Sequence, residues 1–222
     1  MKKIKILLIG YILIGFTTNL HAQKDRKFSN GFSINLVAGF TPGTYGLTSD
    51  SNADSKYQLS NIWGLQLGNR WYFNPKEKYG LGLMVNWFDF TAGTKTAASD
   101  GGDLTRAVVD ISILEIGPVG SFAVSKNIAL DAYYNLRPTG FGSGFLWSGT
   151  ANPNDEDFVY SGFGFTHAFG AAFRYKALNL GLEYVVGSVE SEGRYTGSGG
   201  ERTLDNQTNV ADNFRIMIGA KF

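Results

Sequence analysis

Nucleophile and metal-ligand chemistry is narrowly supplied in this chain. Its 222 residues contain two histidines and no cysteine. Thiolate nucleophiles, thiolate metal sites, disulfides and a lipidated N-terminal cysteine are excluded, because each needs the sulfur itself. A Ser-His-Asp or Asp-His hydrolase would have to use His167, since His21 lies in a leader-like N-terminus. His167 shares parity with Phe165 and Phe169 on an alternating segment, and the sequence sets no Ser beside it. The expectation is an interfacial or locally satisfied imidazole and a chain that is not an enzyme. Asp50-Ser51-Asn52-Ala53-Asp54 begins like a calcium loop, but Ser55 stands where the turn glycine belongs and Asn61 where a bidentate Glu belongs. No metal is expected there, and the acidic run Asn154 to Asp157 reads as a solvated loop. The glycines of 197–200 and 141–144 continue into no phosphate-binding motif, so no cofactor is expected either.

What is left is a set of charges spaced along strands. Past residue 30, apolar residues recur at every second position, the strand period. Eight such segments are read: 32–40, 59–73, 79–90, 108–124, 128–137, 162–175, 178–186 and 210–222. One face of each is large and apolar, as in Ile128, Leu130, Ala132, Tyr134 and Leu136; the other is small or polar, as in Ala129, Asp131, Tyr133, Asn135 and Arg137. In 108–124 the parity changes midway, and a bulge near Ile113 and Leu114 would keep both apolar sets on one side. Short connections at 74–78, 125–127 and 176–177 alternate with long polar ones at 41–58, 91–107, 138–161 and 187–209. Tight turns at one end and long loops at the other, with an even strand count, predict an all-β, eight-stranded antiparallel up-and-down transmembrane β-barrel.

Lipid then faces the apolar stripes, and the polar faces fill the lumen. This assigns Arg70, Glu115, Asp131, Arg137, Arg174, Glu183, Arg215 and Lys221 to a cross-lumen charge network, because uncompensated buried ions are costly. Eight strands leave an interior just wide enough for side chains, so a polar plug is expected rather than an open pore. Aromatic girdles are assigned to Trp71, Phe73, Tyr79, Tyr175 and Phe222 at the turn end, with Trp87 and Tyr134 toward the loop end. Loop aromatics Tyr45, Tyr57, Trp147 and Tyr195 are candidates for partner binding. A narrow channel for small solutes and a secreted soluble ligand-binding barrel are the competing readings.

The N-terminus reads as an address. Lys2, Lys3 and Lys5 precede the apolar run Ile6 to Phe16 and a polar stretch ending at Ala22, the pattern of a secretory signal peptide over 1–22 with the barrel in 23–222. A formal charge of +1 offers no basic surplus, so nucleic acid is not an expected partner.

The stretch Leu114 to Thr139 (LEIGPVGSFAVSKNIALDAYYNLRPT) and the terminal FRIMIGAKF ending on Phe222 resemble the outer-membrane β-barrel domain family abundant in Bacteroidota, of the OmpA/OmpX type and porin-like. Gly117, between Ile116 and Pro118, departs from that family's hairpin. The resemblance implies the cell outer membrane as location, its lipid as surroundings, and recognition of the last strand by the barrel-assembly machinery. It implies a structural or surface-recognition role.

Overall fold

Alternating sequences of this kind satisfy their backbone only by pairing strand to strand, and a sheet in lipid must close on itself to leave no open edge. The computed structural model of the chain describes residues 28–42, 45, 58–73, 75–99, 102–148, 157–197 and 200–222. The 1–22 leader, the Asp50 to Asp54 pattern, Tyr57 and Asn154 to Glu156 lie outside these residues. Among the described residues ten strands are present: β1 (Gly31–Phe40), β2 (Asn61–Phe73), β3 (Tyr79–Ser99), β4 (Gly102–Ala123), β5 (Ile128–Ser148), β6 (Asp157–Tyr175), β7 (Leu178–Val186), β8 (Ser188–Gly197), β9 (Gly200–Val210) and β10 (Asn213–Lys221). Eight of them, β1 to β7 and β10, form an antiparallel ring that closes through the β1–β10 and β5–β6 pairings. A row of paired residues leaving β1 at Gly31 passes Arg70, Met84 and Gly117, continues through Ala168 and Val185, and reaches Asn213 beyond the Phe40–Phe214 pair. This stagger of about ten residues is what tilted strands in a closed barrel require.

The expected long connections need correction. Residues 91–99, 102–107, 138–148 and 157–161 continue β3, β4, β5 and β6 beyond the ring, and much of 187–209 forms the β8–β9 hairpin. β8 keeps the β6 register of β7, and β9 keeps β10's place beside it, so the hairpin prolongs the last two ring strands. These parts escape an apolar-alternation reading because their outward positions are mostly small or polar, while the backbone ladder continues unchanged. The break falls at Gly187, whose φ is 146° and whose N–H donates to Asp212 Oδ1 at 2.9 Å. A side chain at Gly187 would meet Thr166 as well as an unfavourable backbone angle.

The bulge read in the fourth segment is present. Leu114 takes φ 61°, the β4–β5 register shifts between Ser112 and Ile116, and both Ile113 and Leu114 face outward while Glu115 is buried. A second irregularity, not anticipated, lies on β3 opposite Leu67 and Gly68. It leaves Trp87 exposed and swings Asp89 inward.

The molecule is inverted relative to a water-soluble barrel. Leu81, Trp63, Phe73 and Phe163 on the outside are 62–69% exposed, whereas Arg137, Arg215, Glu115 and Asp89 inside are fully buried. Outward polar groups are satisfied locally: Asn69 accepts from the Trp87 indole at 2.7 Å. All seven girdle aromatics face outward, being exposed or half-buried. The division into two belts is corrected for one pair, since Trp71 and Trp87 meet edge to face at 6.1 Å and belong to one cluster.

Candidate functional site

The lumen is a stack of layers, each built from inward positions on several strands. At the tight-turn end, Phe28 packs on Tyr72 with ring centroids 5.6 Å apart, and Lys221 donates to the Ser29 carbonyl. Asn30 Oδ1 accepts from the Tyr72 N–H at 2.9 Å, which fixes this short segment beneath the barrel.

Above it lies a cationic layer. Arg70 and Arg174 converge on Asp131 at 2.5 and 2.6 Å, and Ser121 donates to the same carboxylate at 2.6 Å. Tyr72 shares its hydroxyl with Ser121 and Arg174, and its ring receives Lys221 Nζ at 5.3 Å. Two arginines thus meet one carboxylate, and Lys221 lies beside them over the Tyr72 ring.

Val37, Met84, Val119, Tyr133 and Met217 cluster with Tyr72 inside the barrel. Beyond them is the acidic layer, in which Arg137 and Arg215 meet four carboxylates. Arg137 Nε donates to Glu115 at 2.5 Å, and its NH2 group lies 3.4 Å from Asp110 and 3.6 Å from Asp89. Arg215 donates to Asp89 at 2.8 Å and stands 3.5 Å from Glu183 and 3.6 Å from Asp110. All of these side chains are closed to solvent. Neutral donors complete the layer: Asn86 to Glu115 at 2.7 Å, Gln66 to Asp89 at 3.1 Å, and Tyr133 to Glu183 at 3.0 Å. Tyr133 reaches Glu183 by lying over Gly170, where any Cβ would collide with its ring.

A second apolar group of Tyr45, Leu59, Ile62, Val108, Phe141 and Val189 seals the long-hairpin end. Tyr45 is fully buried, meets Phe141 edge to face at 5.8 Å and lends its carbonyl to Arg106. Burial pushes its hydroxyl far above the ordinary phenol range, so it stays neutral. Tyr45 is therefore part of a seal and not an exposed recognition aromatic; the side chains of Trp147 and Tyr195 are outside the described set.

All eight residues assigned to the charge network face the lumen and are buried. They form two groups: Arg70 and Arg174 pair with Asp131 beside Lys221, while Arg137 and Arg215 pair with Asp89, Asp110, Glu115 and Glu183. Sequence reasoning missed Asp89 and Asp110. Asp89 is preceded by a parity switch, with Leu81 and Leu83 outward at odd positions and Phe88 and Phe90 at even ones, the same signature that marked the bulge in β4. Asp110 shares inward parity with Ser112, and the ambiguity of that strand hid it.

His167 faces outward, as its parity implied. Its Nδ1 lies 2.8 Å from the Tyr134 hydroxyl, the rings stack at 5.9 Å, and its strand neighbours are Leu136 and Val186. No group of His, Asp and Glu among the described residues is arranged to hold a metal ion.

No family model and no curated protein matches the sequence. Among solved structures, the chain is similar to the outer membrane protease OmpT from Escherichia coli, with a TM-score of 0.52 at 9% identity over 86% of this chain and 94% of that one. It also aligns with Ail, the attachment invasion locus protein of Yersinia pestis, at a TM-score of 0.43 and 13% identity, covering 87% and 97% of the two chains. The likeness to OmpT is one of fold: an antiparallel outer-membrane type of β-barrel.

Proposed function

We propose that this chain is an integral outer-membrane barrel, exported by its N-terminal signal and embedded in outer-membrane lipid. Its role is structural or one of surface recognition, and it has no catalytic activity. The observation that carries this reading is the lumen itself. Two arginines and four carboxylates fill one layer with no solvent exposure, a second ion-paired layer lies below, and apolar groups close both ends. Such an interior holds strands in register and offers no continuous aqueous path. Recognition is then left to the extended β3–β4, β5–β6 and β8–β9 hairpins, displayed on a rigid wall. Against catalysis stands His167, held by a phenol and flanked by Leu136 and Val186.

The test is heat-modifiability combined with conductance. The detergent-extracted chain should migrate differently on gels before and after boiling, and in planar bilayers it should show no steady current. A solute channel would conduct, with selectivity altered by neutralising Arg70 or Arg174. A soluble ligand-binding barrel would need no detergent.

A further inference from the structure

The outer wall is apolar along most of its length, so a polar group there requires an explanation. Trp87 and Asn69 satisfy each other, and the indole has no second donor. The Tyr134 and His167 pair differs, because imidazole has two nitrogens and the phenol occupies only Nδ1. Among the described residues Nε2 has no partner.

The height of His167 narrows the choice of partner. It pairs with Val186, the last residue of β7, and the next outward residues on that course are Ser188 and Glu190, both exposed. On the β5 side Leu136 is followed by Pro138 and Gly140. His167 therefore lies at the level where the β7–β8 course turns polar, while on β6 Phe163 and Phe165 beyond it and Phe169 below it stay exposed. Lipid covers this wall in the reading proposed above, on which the following rests. The surface is continuous with that lipid contact, and at this height the hydrogen-bond acceptors of a lipid are its acyl carbonyls and its phosphate. Glu190 and Glu192 follow Ser188 on the same outward face of β8. The nearest charge, Glu190, disfavours a phosphate relative to a neutral carbonyl, and Arg194 lies farther along the same face.

We propose that Tyr134, His167 and Ser188 form a binding site for an acyl carbonyl oxygen of an outer-leaflet lipid. Tyr134 Oη donates to Nδ1, which leaves the ring proton on Nε2 directed at the bilayer. Ser188 supplies a second donor from the neighbouring strand, and Leu136, Phe165 and Phe169 receive the chain.

The full-length protein, 15N-labelled at histidine, is reconstituted in vesicles of phosphatidylethanolamine and phosphatidylglycerol with 13C acyl carbonyls, and solid-state NMR measures dephasing of Nε2. His167→Phe identifies the signal by removing it. Dephasing by the acyl carbon and not by 31P is expected; it should fall to background in Tyr134→Phe, which releases the tautomer, and weaken in Ser188→Ala. Absence of carbonyl dephasing in protein that is still heat-modifiable, or dephasing by 31P alone, overturns the site while the barrel reading stands. Protein that neither inserts nor shows the gel shift overturns both.

Discussion

Tyr133 reaches Glu183 across an intervening strand: the two residues sit on β5 and β7, and a 3.0 Å hydrogen bond joins them over the bare backbone of Gly170 on β6. Gly170→Ala should destabilise the barrel by about 1 to 3 kcal/mol, since the ring has to leave its place. In a Tyr133→Ala background the same substitution should cost far less. Urea unfolding of the four proteins in vesicles measures this coupling, and equal costs in both backgrounds would refute it.

The acidic layer predicts unequal effects from its two charge types. Arg137 bridges Glu115, Asp110 and Asp89, so Arg137→Leu removes their shared cation and should cost about 3 to 5 kcal/mol. Asp110→Asn gives up only contacts of 3.4 and 3.6 Å and removes one of four mutually repelling carboxylates, so it should cost less than Arg137→Leu. Comparable losses in unfolding free energy for the two variants would count against this view of the layer.

Leu114 sets the facing of half of β4. Deleting it shifts the strand by one position and turns either Glu115 or the Ile111 side toward the wrong surroundings. The deletion should abolish the heat-modifiable form, whereas Leu114→Gly, which suits φ 61°, should retain it. Retention of the folded band after deletion would show that the bulge is dispensable.

Conductance offers a test of the seals. The intact barrel should be silent in planar bilayers, and Arg137→Ala combined with Arg215→Ala should produce brief openings, because four carboxylates lose both partners. Steady current from the unaltered protein would replace the plug with a channel.

Much of this molecule is legible in its sequence because an apolar exterior and a polar lumen make opposite demands on alternate residues. The outward Leu, Phe and Trp of the ring strands and the inward Arg70, Asp131, Arg174 and Arg215 follow from parity alone. Parity fails where a single residue is inserted. The switch in β4 shows in Glu115 and Leu114, while the equivalent switch at Trp87 conceals Asp89. It fails again where outward positions are small or polar, as at Pro138, Gly140 and Gly142 of β5 and Ser188, Glu190 and Glu192 of β8. Pairing partners inside the lumen are beyond sequence reasoning altogether: Arg215 and Asp89 meet at 2.8 Å although they are 126 positions apart.

The layering of the lumen also has an electrical meaning. Cationic side chains predominate toward the tight-turn end and anionic ones toward the long-hairpin end, so the barrel carries a dipole along its axis. Potentials across a membrane act on such a separation with about 2.3 kcal/mol per charge per 100 mV when the full drop is traversed. In the outer-membrane setting proposed above, the folded protein is therefore not energetically symmetric: a Donnan potential favours one way of pointing over the other.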